Sequence, residues 1–304
     1  MKKSLTGVTD VTRTDIELIY AVAAEQKSIL EADGMLKPVL INRVVGMLFE
    51  KPSLRTRVSF EVATTQLGGH SLFMGAGEVQ IGKRESVADF ARTMSRYVDM
   101  IVARTFSQAH VEEIARESRV PVINALSDYE HPCQALGDML TIKEHLGGFD
   151  GRKVCFVGDG NNVARSLALI CGALDVPFAI AAPEGYGLAA DFLNLLKKYA
   201  PRAKVETGTD PAKLLKGADV VYTDVWASMG QEAEAEKRKQ VFRPYQVNSA
   251  LLKRASKKAI VMHCLPAKRG DEISDEVLDG PQSVVYDQAE NRLHAQRALM
   301  TLLA

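Results

Sequence analysis

Between residues 43 and 286 this 304-residue chain alternates short apolar runs with amphipathic stretches of helical period. That pattern leaves few folds open, because strands joined in succession by helices lie parallel and a parallel sheet needs helices on both faces. The first set reads as a helix at 15–33, a strand at 43–49, a helix after Arg55 that stops at Gly68-Gly69, a helix at 86–97, a strand at 99–103, a helix at 108–118 and a strand at 120–125. A long helical pattern follows from His131 to His145 and ends at Gly147-Gly148. The alternation then restarts, with strands expected at 153–157, 178–182, 204–207, 220–223, 259–263 and 283–286 and a last helix at 289–303. The expected fold is α/β, with two similar-sized domains, each a parallel sheet flanked by helices. They are assigned to residues 1–147 and 148–287, with the 288–304 helix packing back on the first.

Composition narrows the partners. The 38 basic and 38 acidic residues cancel, which gives no reason to expect nucleic acid or an anionic membrane as partner, since either normally needs a basic face. No apolar run approaches the ~18 residues of a membrane span and the N-terminus lacks a signal-peptide core, so the expected location is cytoplasmic. Four irregularly spaced cysteines do not make a disulfide framework; Cys155 and Cys171 fall in apolar stretches, whereas Cys133 and Cys264 each have a histidine within two positions.

In open α/β sheets ligands bind beyond the carboxyl ends of the strands. Polar residues follow the apolar runs repeatedly: Ser53, Leu54, Arg55 and Thr56, then Arg104, then Asp159 with Asn161 and Asn162, then Asp224, then His263 and Cys264. The segment Ser53-Leu54-Arg55-Thr56-Arg57 suits an anion, since arginine forks pair with phosphate and a helix start offers unpaired N–H groups. It equally suits a capped helix with solvated charges, and the segment alone does not decide between them. His131-Pro132 opens a helix with proline at its first position, leaving His131 exposed to the crevice or serving only as a cap.

Two cofactor readings are weak. The stretch Gly158-Asp159-Gly160-Asn161-Asn162-Val163 carries valine where a dinucleotide fold wants its third glycine, and the next strand leads into Ala182-Pro183-Glu184 without an acidic residue at its end for a ribose. His131 with Cys133, and His263 with Cys264, are pairs without the ligand count of a zinc site. The expectation is no cofactor and no metal.

Taken together, Phe49-Glu50-Lys51-Pro52-Ser53-Leu54-Arg55-Thr56-Arg57, His131-Pro132-Cys133-Gln134, Asp224-Val225-Trp226-Ala227-Ser228-Met229-Gly230 and His263-Cys264-Leu265-Pro266 stand in the order and spacing of the carbamoyltransferases. With Gln80-Ile81-Gly82 and Glu290-Asn291-Arg292, the chain resembles that family, and its ornithine-specific branch, over essentially its full length. The resemblance implies a carbamoyl-phosphate-binding N-terminal domain, an L-ornithine-binding C-terminal domain, and transfer of the carbamoyl group to the δ-amine to give L-citrulline and phosphate, in arginine biosynthesis. It implies Ser53, Leu54, Arg55 and Thr56 on the phosphate, Arg104 on phosphate and carbonyl, His131, Gln134, Cys264 and Leu265 on the carbamoyl group, and Arg292 closing over it. Arg55, Arg104, His131 and Cys264 are then the catalytic set; Asn162, Asp224, Ser228 and Met229 hold ornithine. Gln80 is implied to reach a neighbouring subunit of a homotrimer.

Chemistry fits these roles. Amine attack builds charge on the carbonyl oxygen, where a preorganised donor is often worth ~3 kcal/mol, and a free alkyl amine with pKa ~10.4 must lose a proton first. Leu54 departs from the threonine commoner at its place. Rival acceptors are putrescine, N-acetylornithine and aspartate; from another class, a nicotinamide-dependent oxidoreductase.

Overall fold

The computed structural model describes residues 3–82, 84–227 and 232–304. The chain forms two compact units, Met1–Gly137 with Asn291–Ala304, and Asp138–Glu290. Each is built on one parallel sheet.

The first unit contains β1 (Val44–Phe49), β2 (His70–Gly75), β3 (Met100–Arg104) and β4 (Val122–Leu126), in the order β2-β1-β3-β4. Strands β1, β3 and β4 are apolar nearly throughout and bury both faces; Leu48, Ile101, Ala103 and Val122 pack there with Phe90, Val111 and Ile114 of two covering helices. Strand β2 is an addition to the sequence reading. It lies at the sheet edge with only Met74 fully buried, so it lacks the continuous apolar run that marks the inner strands.

The second unit contains β5 (Val154–Val157), β6 (Phe178–Ala181), β7 (Val205–Gly208), β8 (Val220–Thr223) and β9 (Ile260–His263), in the order β7-β6-β5-β8-β9. The order reverses beside β5, which places the turns after β5 and β8 at the switch point where such sheets take ligands. The strand expected at 283–286 is absent. Ser283 alone bridges Val261, and helix Val285–Leu303 begins two residues later. The outer edge of β9 is closed instead by single bonds: Val261 N donates to the Gln282 carbonyl at 2.7 Å and His263 N to Gln288 Oε1 at 2.8 Å.

Candidate active site

In the first unit the strand ends gather cations and hydroxyls. Ser53 caps helix Leu54–Gln66 without bonding its backbone; its hydroxyl donates instead to Thr56 Oγ1 at 2.9 Å, so the first-turn N–H groups are not taken up by that side chain. Thr56 is buried and Arg55 exposed. Arg57 is otherwise engaged: it pairs with Glu61 at 2.9 Å and its guanidinium lies 4.0 Å above the Phe73 ring, whereas Arg55 stands exposed in the first turn of the helix.

Arg104 ends β3 and is buried, as are His131, Gln134 and Arg292. Arg292 Nη1 donates to Gln134 Oε1 at 3.2 Å. Their closeness depends on Gly137, where a Cβ would stand 2.8 Å from the Arg292 Cα, so any larger residue would push the two helices apart. His131 is not exposed as expected but 4% accessible. Burial, then the charges of Arg292 and Arg104, hold its pKa well below the usual histidine value, so it is a neutral imidazole among cations. Cys133, the other residue of that motif, donates its thiol to the Asn124 carbonyl at 3.3 Å, and burial pushes its pKa up to about 12. It is an inert core thiol. Gln80 is exposed on the segment after β2, its carbonyl accepting from Arg84 N at 2.9 Å.

In the second unit the centre is Asp224, directly after β8 and nearly buried. One of its carboxylate oxygens accepts from Cys264 Sγ at 3.1 Å and the other from Asn161 Nδ2 at 2.8 Å. Asn161 also caps helix Asn162–Ala173, its Oδ1 accepting from Val163 N and Ala164 N. Asn161 is thus the asparagine that sets Asp224, a role the sequence reading did not give it; Asn162 accepts from Val163 N at 3.1 Å and is half-buried at the helix start. Ser228 and Met229 lie outside the described residues.

Cys264 and Leu265 follow β9 on a backbone turn in which Leu265 adopts φ 57°. A branched side chain resists that left-handed conformation, so neighbours must hold it. Leu265 N donates to His263 Nδ1 at 2.9 Å, which makes Nε2 the protonated nitrogen of a neutral ring, and Nε2 lies 3.0 Å from Glu272 Oε1. Asp224, His263 and Cys264 bring three metal-type ligand atoms within 4.8 Å of one another. Both nitrogens of His263 are already spent on hydrogen bonds, which leaves it no lone pair for an ion.

The comparisons match both units. A family described as aspartate/ornithine carbamoyltransferase, carbamoyl-P binding domain, matches residues 3–144, and its Asp/Orn binding domain matches residues 150–303. The chain belongs to the aspartate/ornithine carbamoyltransferase family. Among similar members, the ornithine carbamoyltransferase of Thermococcus kodakarensis is 49% identical over 300 residues, 97% of this chain and 94% of that protein. The relative from Pyrococcus furiosus, named an anabolic ornithine carbamoyltransferase, is 48% identical over 99% of this chain and 96% of its own length. The solved ornithine carbamoyltransferase of Pyrococcus furiosus superposes with a TM-score of 0.94 at 48% identity, covering 98% of this chain and 96% of that one. That of Thermus thermophilus gives 0.89 at 39% identity, over 100% and 99%. Among the described residues no helix is long and apolar enough to cross a membrane.

Within this family frame Leu54 is the irregular residue. It is 76% exposed at the first position of its helix, and a helix start offers its N–H groups whatever side chain stands there. Leu54→Thr is expected to change carbamoyl-phosphate affinity less than about tenfold, ~1.4 kcal/mol. Isothermal titration of the two proteins checks this, and a larger change contradicts it.

Proposed function

We propose that this chain is an ornithine carbamoyltransferase, moving the carbamoyl group of carbamoyl phosphate to the δ-amine of L-ornithine and working in the biosynthetic direction. The observation that carries the proposal is the Asp224 carboxylate bonded at once to the Cys264 thiol and the Asn161 amide. An anion so placed at a strand end suits the ammonium of an amino acid. The name of the Pyrococcus furiosus relative supports the anabolic direction.

In the proposed mechanism Ser53, the Leu54 N–H, Arg55 and Thr56 hold the phosphate, and Arg104, Gln134 and Arg292 complete the carbamoyl-phosphate site. The phosphate leaves with its charge already matched by arginine, so the anhydride needs no covalent enzyme intermediate. Neutral His131 donates one N–H to the carbonyl oxygen as charge grows on it. Cys264 orients the amine and takes its proton as the thiol proton passes to the Asp224 carboxylate it is bonded to, and Leu265 offers its carbonyl to the carbamoyl nitrogen. The Glu272–His263–Leu265 chain of bonds keeps that turn in place.

Incubation with both substrates should yield citrulline and phosphate in equal amounts; phosphate without citrulline overturns the proposal. Cys264→Ala should lower kcat and move its acidic limb to higher pH, toward the ~10.4 of a free alkyl ammonium. An unchanged pH profile removes Cys264 from the proton path.

A homotrimer, located in the cytoplasm, is part of the same proposal. Its support is an exposed apolar stripe on helix Leu54–Gln66, with Leu54 76%, Val58 46% and Val62 36% exposed at helical spacing, beside Leu72, 43% exposed on the edge strand β2. Light scattering that reports one chain of 33.2 kDa instead of three overturns it.

A further inference from the structure

Asn161 and Asp224 come from different segments, and the bond between their side chains is only as well placed as those segments. One guanidinium fixes both. Arg238, on helix Ala235–Phe242, is 6% exposed, and its Nη1 donates to Asp159 Oδ2 at 2.7 Å and to the Trp226 carbonyl at 2.9 Å. Asp159 lies two residues before Asn161, and Trp226 two residues after Asp224. Nε donates to Glu234 Oε2 at 3.1 Å, while the planar group stands 5.0 Å from the Tyr186 ring and 6.0 Å from that of Phe242. The turn is also wedged against a neighbouring loop: Gly160 N donates to the Tyr186 carbonyl at 2.7 Å, and a Cβ on Gly160 would lie 2.5 Å from the Gly187 backbone.

We propose that Arg238 is a positioning residue for the amino-acid acceptor, setting Asn161 against Asp224 by clamping Asp159 and the Trp226 backbone together. The inference rests on the proposed function for the identity of that acceptor. A rigid fork is needed, because a single ammonium is a point charge that cannot stack between two rings while bonding a carboxylate and a carbonyl. A surface ion pair would not do this work; here both side chains are largely buried, Arg238 8% and Asp159 12% exposed.

The test is steady-state kinetics on the intact enzyme with Arg238→Gln, Arg238→Lys, Asp159→Asn and the double variant Arg238→Gln/Asp159→Asn. Arg238→Gln should raise KM for ornithine about tenfold and leave KM for carbamoyl phosphate within about twofold; Arg238→Lys should recover part of the loss. The double variant should be no worse than Arg238→Gln, because the two residues act as one unit. Trp226 is the only tryptophan of the chain, so its emission maximum should shift in substrate-free Arg238→Gln and less in Arg238→Lys. An unchanged acceptor KM, equal rises in both KM values, additive single effects, or unmoved Trp226 emission overturns the proposal. If Arg238→Gln does not fold, Arg238→Lys and Asp159→Asn carry the same test. Wild-type enzyme that makes no citrulline would sink the ornithine assignment instead, and the clamp would then be read from the KM of whichever amine is used.

Discussion

Asp224→Asn is expected to lower kcat/KM for ornithine about a thousandfold, ~4 kcal/mol, with the affinity for carbamoyl phosphate unchanged. The carboxylate accepts from two donors, the Cys264 thiol and the Asn161 amide. An asparagine keeps the shape but turns one of its two acceptors into a donor, so one neighbour is left facing N–H, and the acceptor's ammonium loses its counter-charge. Steady-state kinetics with each substrate varied in turn reads the effect. Equal losses toward both substrates would make Asp224 a structural residue only.

The second large effect is at His131. His131→Gln should reduce kcat about a hundredfold, as loss of one donor to a developing oxyanion does, ~3 kcal/mol. The pH profile should keep its shape, because a histidine held neutral by burial and by Arg292 and Arg104 does not titrate where the enzyme is assayed. The stability sign follows from the same depression. Its folded pKa lies below the unfolded ~6.5, so the unfolded chain binds the proton first. The group's contribution is complete above pH ~6.5 and is lost as pH falls from there toward the folded value. Wild-type Tm should drop over that acid range more steeply than that of His131→Gln. A kcat profile whose acid limb vanishes in the variant would instead make His131 a proton carrier.

Much of the fold was legible because inner parallel strands are continuous apolar runs. Val44–Phe49, Met100–Arg104 and Val220–Thr223 are buried almost throughout, and their periodicity announces them. Strand β2 escaped because an edge strand is covered at few positions, and His70-Ser71-Leu72-Phe73 gives no such run. The expected strand at 283–286 failed for the opposite reason: Val284-Val285 is β-branched, yet the chain turns helical there after one bridge to β9.

The site was legible in its residue types but not in its couplings. Asp224, Cys264, Arg104 and His131 stood at strand ends or helix starts where ligands bind. That Arg57 turns away to Glu61 and Phe73 is decided by which side of a helix faces β2, which only the packed unit fixes. Asn161 stood among the strand-end residues but its bond to Asp224 was not legible, and Arg238 was missed because an arginine in the charged stretch Glu234–Lys239 reads as solvated. Their burial comes from segments far apart in sequence.

Whether ornithine is the acceptor is decided by competition among amines. The measurement is kcat/KM at saturating carbamoyl phosphate for ornithine, putrescine, N-acetylornithine and aspartate. Ornithine should exceed each of the others by at least about a hundredfold, ~2.7 kcal/mol, since each alters a charge that the acceptor pocket is built to meet. A higher kcat/KM for any of the three would contradict the account.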